Sequence, residues 1–120
     1  MMKRNSVSLG KEGENKAVEA LRTAGMSIIT RNFRSRQGEI DIIALDGETL
    51  VFVEVKAYSK FGLESLAYSI SQKKQRRIIE TAKYFLSINR QYYGRAIRFD
   101  VVFIGNEAVS HLASAFMERV

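Results

Sequence analysis

Two short runs constrain this chain more than anything else in it: Gly38-Glu39-Ile40-Asp41-Ile42-Ile43 and Val51-Phe52-Val53-Glu54-Val55-Lys56, with Asp46-Gly47 between them. Two β-forming runs around an Asp-Gly dipeptide define an antiparallel hairpin, because a type I′ turn needs positive φ at its central residues. A turn centred on Asp46-Gly47 pairs Leu45 with Glu48, so that Phe52 faces Asp41 and Glu54 faces Glu39. Side chains alternate between faces along a strand. Ile40, Ile42, Ala44, Val51, Val53 and Val55 therefore make one apolar face suited to a covering helix. Glu39, Asp41, Glu54 and Lys56 gather on the other. In this register Asp41 and Glu54 are diagonal neighbours with Cα atoms roughly 7–8 Å apart, near enough for both carboxylates to reach one ion. A one-residue bulge would scatter the set to opposite faces.

Burying a carboxylate costs several kcal/mol unless it is compensated, so charges kept inside strand-forming sequence point to a site. The chain has no cysteine and a single histidine, His111. Disulfides, thiolate chemistry, cysteine-containing zinc sites and multi-histidine centres are thereby excluded. A cation held by carboxylates alone is a hard one, Mg²⁺ or Mn²⁺. Such an ion polarises a phosphoryl oxygen and lowers the pKa of bound water, and Lys56 is placed to stabilise the charge that develops. Glu14, on the apolar stripe of the first helix with Ala17, Val18 and Leu21, offers a third acceptor, or else only complements the helix dipole. Metal-dependent phosphodiester hydrolysis uses Glu14, Asp41, Glu54 and Lys56 together. The rival reading is an ordinary strand pair closed by an ion pair of Lys56 with Glu54 or Asp41, worth about 0–1 kcal/mol if exposed.

With 120 residues, 46% of them hydrophobic and 27% charged, the chain is expected to form one domain over residues 1–120. No apolar run has the length of a membrane span and the first residues lack a secretion signal, so a cytoplasmic protein without membrane contact is expected. A net charge of +6 and a pI near 9.8 direct attention to polyanions. The pattern predicts a helix over 8–21 closed by Gly25, a strand over 26–33, hairpin strands over 39–45 and 49–57, and a loop over 58–62. A long helical segment over 64–89, with a break at 69–71, carries Ile78, Ile79, Ala82, Phe85 and Leu86 on one stripe. Its other faces carry Lys73, Lys74, Arg76, Arg77 and Lys83, either a solvated surface or a phosphate-binding one. Strands over 97–104 and 108–112 complete the chain. Arg98 and Asp100 share a face and are expected to pair with each other or with neighbours. His111 is expected at the surface or a strand edge rather than in catalysis. The order α, β, β, β, α, β gives an α/β fold with a mixed central sheet flanked by helices.

The paired motifs, Gly38-Glu39-Ile40-Asp41 and Val51-Phe52-Val53-Glu54-Val55-Lys56, closely resemble those of the YraN-like proteins, an uncharacterised bacterial group within the PD-(D/E)XK nuclease superfamily, similar to Holliday junction resolvases. The resemblance extends to Gly13-Glu14 with Ala17, to Arg31-Asn32-Phe33-Arg34, to the lysine-rich second helix and to Arg98-Phe99-Asp100, nearly the whole chain. It implies a restriction-endonuclease-like αβββαβ core. It also implies that Asp41 and Glu54 bind Mg²⁺ or Mn²⁺, that Glu14 completes the site and that Lys56 assists hydrolysis. Some members use a glutamine or lysine early in the second helix, where this chain offers Gln72 and Lys73. Related proteins commonly carry a basic residue two positions after the motif lysine, and this chain has Tyr58 there.

The reading favoured on these grounds is a Mg²⁺- or Mn²⁺-dependent endonuclease acting on nucleic acid, DNA before RNA, with branched or structured DNA as one substrate class. Its nucleic-acid surface would comprise Arg31, Arg34, Arg36, Lys60, Gln72, Lys73, Lys74, Arg76 and Arg77. A homodimer would suit a two-strand substrate. A non-catalytic nucleic-acid-binding module of the same fold is the alternative, and an interaction domain using Tyr92-Tyr93 is a third.

Overall fold

The computed structural model describes residues 2–57, 70–105 and 108–117, and side chains from residue 10 onward. Helix α1 (Met2–Thr23) leads into strands β1 (Ser27–Arg34), β2 (Glu39–Asp46) and β3 (Thr49–Ala57). Helix α2 (Gln72–Ile88) and a 3₁₀ turn (Arg90–Tyr92) follow, then β4 (Ile97–Ile104) and β5 (Val109–Phe116). The strands form one sheet in sequence order, with β3 and β4 parallel and every other neighbour pair antiparallel. This is the expected α/β architecture with a mixed sheet, compatible with an αβββαβ core, and β5 extends it at one edge. The 64–69 part of the long helical expectation, the 58–62 loop and Lys60 lie outside the described residues. Among those described, no helix is long and apolar enough to cross a membrane.

The two helices take opposite faces. Ala17, Val18 and Leu21 of α1 pack on Ile42, Ala44, Val51, Val53 and Val102. Ile78, Ile79, Ala82 and Phe85 of α2 pack on Ile43, Leu50, Phe52 and Phe99. Covered on both sides, β3 is buried from Leu50 to Glu54, which is why its sequence reads as a nearly unbroken apolar run. Met26 N–H bonds Leu21 O at 3.0 Å and Gly25 N–H bonds Arg22 O at 2.9 Å, a Schellman closure of α1. Ser71 caps α2, its hydroxyl accepting from Lys74 N–H at 3.1 Å.

The hairpin register differs from the expected one. Asp46 pairs with Thr49 and Leu45 with Leu50, so the turn is centred on Gly47-Glu48 rather than Asp46-Gly47. Gly47 has φ +63°, and Glu48 does not share the positive φ, as a II′ turn with glycine first requires. The slip is two residues. An even slip leaves side chains on their faces where alternation holds, so Ile42, Ala44, Val51, Val53 and Val55 still meet α1, while Asp41 moves from a diagonal position to one directly opposite Glu54 on extension of the ladder. Gly38, φ +155°, lets the β1–β2 loop pass against α2, where a Cβ would stand 3.2 Å from Thr81 Oγ1.

Candidate active site

The β1–β2 register shifts between Ile28 and Thr30, and a second break in alternation, further along β1 and β2, makes the site. Ile40 packs with the α2 cluster and Ile42 with the α1 cluster, although two residues apart on one strand. Their register partners behave alike: Phe33, opposite Ile40, packs on the α2 side, while Arg31, opposite Ile42, reaches Glu14 of α1. The rung between them is Asn32 opposite Asp41. Asn32 has φ +54°, a left-handed conformation within a strand, and such a residue reverses the direction of the side chains that follow. Asp41 lines the cavity on the α1 side, beside Asn32 and Glu14. This corrects the expected common face: Glu39 and Asp41 line a cavity of about 450 Å³ with Glu14, Asn32 and Val55. Glu54 stays on the α2 side, 6% exposed.

Glu14 is held by three donors on one oxygen. Arg31 Nη2 and Nε lie 3.0 and 3.2 Å from Oε1, and Asn32 Nδ2 lies 3.0 Å from it. Arg31 Nη2 also donates to Asn15 Oδ1 at 2.7 Å. Arg31, expected at the nucleic-acid surface, is thus committed to positioning an acid. Glu54 Oε2 lies 3.0 Å from Lys74 Nζ. Lys74 and not Lys56 is the amine that meets Glu54, and the Glu54 hydrogen bond raises its pKa against the opposing effect of burial. Lys56, half-buried, sits two residues along β3, opposite Phe103 in the parallel register.

Asp41 is the strained charge of the set. Its Oδ2 accepts Val55 N–H at 2.7 Å. Burial, then the charges of Glu54, Glu14 and Glu39, push its carboxyl from the ordinary 3.8 up to about 7, outweighing that one hydrogen bond. Among the described residues, no three acidic or histidine side chains converge into a ready-made cation cage. The donor set nevertheless fits a hard divalent ion. Asp41 and Glu54 leave facing strands toward different helices, yet the Glu54 charge still raises Asp41, so a cation within reach of both would relieve that repulsion.

The expected basic residues surround this end of the sheet unevenly. Arg34 pairs loosely with Glu39 at 3.6 Å, both exposed, and Arg36 is exposed in the loop before Gly38. Gln72, Lys73, Arg76 and Arg77 are exposed on the first turns of α2, beside Lys74. Two features escaped the sequence reading. Asn32 was read only as part of a motif, although asparagine is one of the few residues that tolerates the left-handed region. The second is a buried network around Asp100. Arg98 Nε and Nη2 clasp its carboxylate at 2.9 and 3.0 Å, as expected of this pair. His111 Nε2 lies 2.7 Å from Oδ2 and Ser114 N–H 3.0 Å from Oδ1. Arg98 Nη1 extends the network to Asp46 at 3.0 Å.

This chain belongs to the uncharacterised protein family UPF0102, whose family model matches residues 13–104, a span that holds Glu14, Asn32, Glu39, Asp41 and Glu54. Among its relatives is a UPF0102 protein of Persephonella marina, 50% identical over 107 residues, covering 89% of this chain and 91% of that protein. A UPF0102 protein of Treponema denticola is 44% identical over 123 residues, covering 91% and 95%. Another, of Thermodesulfovibrio yellowstonii, is 41% identical over 112 residues, covering 92% and 96%. The YraN-like resemblance read from the motifs and this family are the same grouping.

Proposed function

We propose that this protein is a Mg²⁺- or Mn²⁺-dependent nuclease of the PD-(D/E)XK superfamily that hydrolyses phosphodiester bonds in DNA, with branched or structured DNA as a substrate class. The observation that carries the reading is Asp41, a carboxyl raised to about 7 by burial and by three neighbouring acids. A fold keeps such a destabilised group when a ligand compensates it. Asp41 and Glu54 would hold the ion, with Glu14 as the third acceptor across the cavity. When bound, the ion supplies charge neutralisation at the phosphate and a more acidic water.

The remaining work falls to the chain's own residues. Asp41 is fixed through the Val55 N–H, so its second oxygen is oriented without a rotamer search. Lys74, paired with Glu54, and Lys56, two residues along β3 from it, would supply ammonium charge that favours the dianionic transition state over the monoanionic phosphodiester. Exposed Gln72, Lys73, Arg76 and Arg77, with Arg34 and Arg36, supply backbone contacts that fix the substrate's register without reading its sequence. The net charge of +6 favours encounter with a polyanion.

A second reading, a nucleic-acid-binding module without turnover, is favoured by one observation. Glu14 Oε1 is already met by Arg31 and Asn32, and Glu54 by Lys74. Incubating the protein with Mn²⁺ and labelled duplex, single-stranded, flap and four-way DNA separates the readings. Cleavage lost in Asp41→Ala and in Glu54→Ala is the expected result. Cleavage that persists equally in both variants would remove the nuclease reading, and DNA binding without cleavage or Mn²⁺ uptake would favour the module.

A further inference from the structure

Asn32 sits where the two halves of the acidic site meet. It stands directly across the β1–β2 ladder from Asp41, between the rungs Arg31↔Ile42 and Phe33↔Ile40. Its φ of +54° coincides with the reversal of side-chain direction in both strands. Its Nδ2 donates to Glu14 Oε1 at 3.0 Å, and its side chain lines the cavity that Glu14, Glu39 and Asp41 also line. One residue therefore touches the acid on the helix and sets the orientation of the acid on the strand. We propose that Asn32 is the positioning residue of this site: its left-handed backbone turns Asp41 toward α1, and its amide fixes Glu14 across the cavity. The proposal rests on the cation-binding reading above for what occupies the cavity, but not for the geometry itself.

The two parts of this role belong to different parts of the residue, so two substitutions separate them. Glycine adopts φ +54° without strain but has no amide, whereas alanine has neither the amide nor a tolerance for that φ. The Val55 amide reports Asp41's orientation in the metal-free protein, since its hydrogen bond to Asp41 Oδ2 exists only while Asp41 faces the cavity. Hydrogen exchange at Val55 and calorimetric Mn²⁺ affinity are measured on the full chain. Asn32→Gly is expected to keep Val55 protected and to weaken Mn²⁺ by roughly threefold through the loosened Glu14. Asn32→Ala is expected to speed Val55 exchange and to weaken Mn²⁺ by about tenfold or more, because Asp41 as well as Glu14 then loses its orientation.

Unchanged Val55 protection in Asn32→Ala would overturn the proposal, as would Val55 exchange accelerated as strongly in Asn32→Gly as in Asn32→Ala. Should Asn32→Ala not fold, Asn32→Gly alone decides: retained protection with weakened Mn²⁺ supports the role, and lost protection overturns it. If the wild-type protein takes up no Mn²⁺, the nuclease reading fails by itself and Val55 exchange still judges Asn32.

Discussion

Asp41 and Asp100 are both strand carboxylates, both beside a non-glycine residue with φ +54°, Asn32 in one case and Ser114 in the other. The two are treated in opposite ways. Asp100, fully buried, receives four hydrogen bonds, two from Arg98, one from His111 and one from Ser114 N–H. Burial pushes its pKa up, but His111, Arg98 and the Ser114 N–H together hold it below the ordinary carboxylate value. As an ionised acid it only accepts, so His111 carries its proton on Nε2. Asp41 receives one such bond and faces three other acids, and its pKa rises. A charge kept for the fold is paired from within the chain; a charge left unpaired is kept for something the chain does not itself contain.

Removing each acid should therefore act in opposite directions on stability. The largest effect is expected for Asp100→Ala, which strands Arg98 beside a buried gap and should cost about 3–5 kcal/mol of unfolding free energy in urea titrations. A loss below about 1 kcal/mol would mean that the network is not a structural clasp. The next is Asp41→Asn, which should stabilise the metal-free protein by roughly 1–2 kcal/mol at pH 8 and leave it unchanged at pH 3. The sign follows from the raised native value. Between about 4 and 7 the folded protein retains a proton that the unfolded chain releases, so wild-type stability falls as pH rises through that window. Asp100, with its depressed value, works the other way: its contribution is present above the unfolded carboxylate range and is lost as pH falls through the native value. Wild type should accordingly lose stability on both flanks, and Asp41→Asn only on the acid one. The smallest effect is expected for Lys74→Met. A half-exposed ion pair to Glu54 contributes about 0–1 kcal/mol, yet its removal should raise the Asp41 midpoint further, because Lys74 and Asp41 are close enough for the Asp41 charge to raise Lys74.

Much of this was readable from the residues. The hairpin, the two helices on opposite faces and the β4 span of residues 97–104 follow from periodicity and turn chemistry, and the error in turn position did no harm to the faces because it was even. Asp41's side was not readable, since the alternation rule has no means of anticipating a left-handed residue on the neighbouring strand. Lys56, two residues from Glu54 on the same strand, is the amine the local pattern assigns to the site, with a Glu54 or Asp41 ion pair as the rival, whereas Lys74, the amine that meets Glu54, arrives from a helix through tertiary packing. The Asp100 clasp was half legible: Arg98 is local, but His111 and Ser114 reach Asp100 through a β4–β5 register with a shift between Phe99 and Val101. Local pattern gives elements and faces, and long-range register decides which charges meet.

The Asp41 carboxyl carries the whole functional reading, and its titration can be followed directly by carbon-detected NMR of the side chain in metal-free protein. The account predicts a midpoint near 7 that drops by more than one unit when Mg²⁺ is added. A midpoint near 4, unmoved by Mg²⁺, would show Asp41 to be an ordinary compensated surface acid and would contradict it.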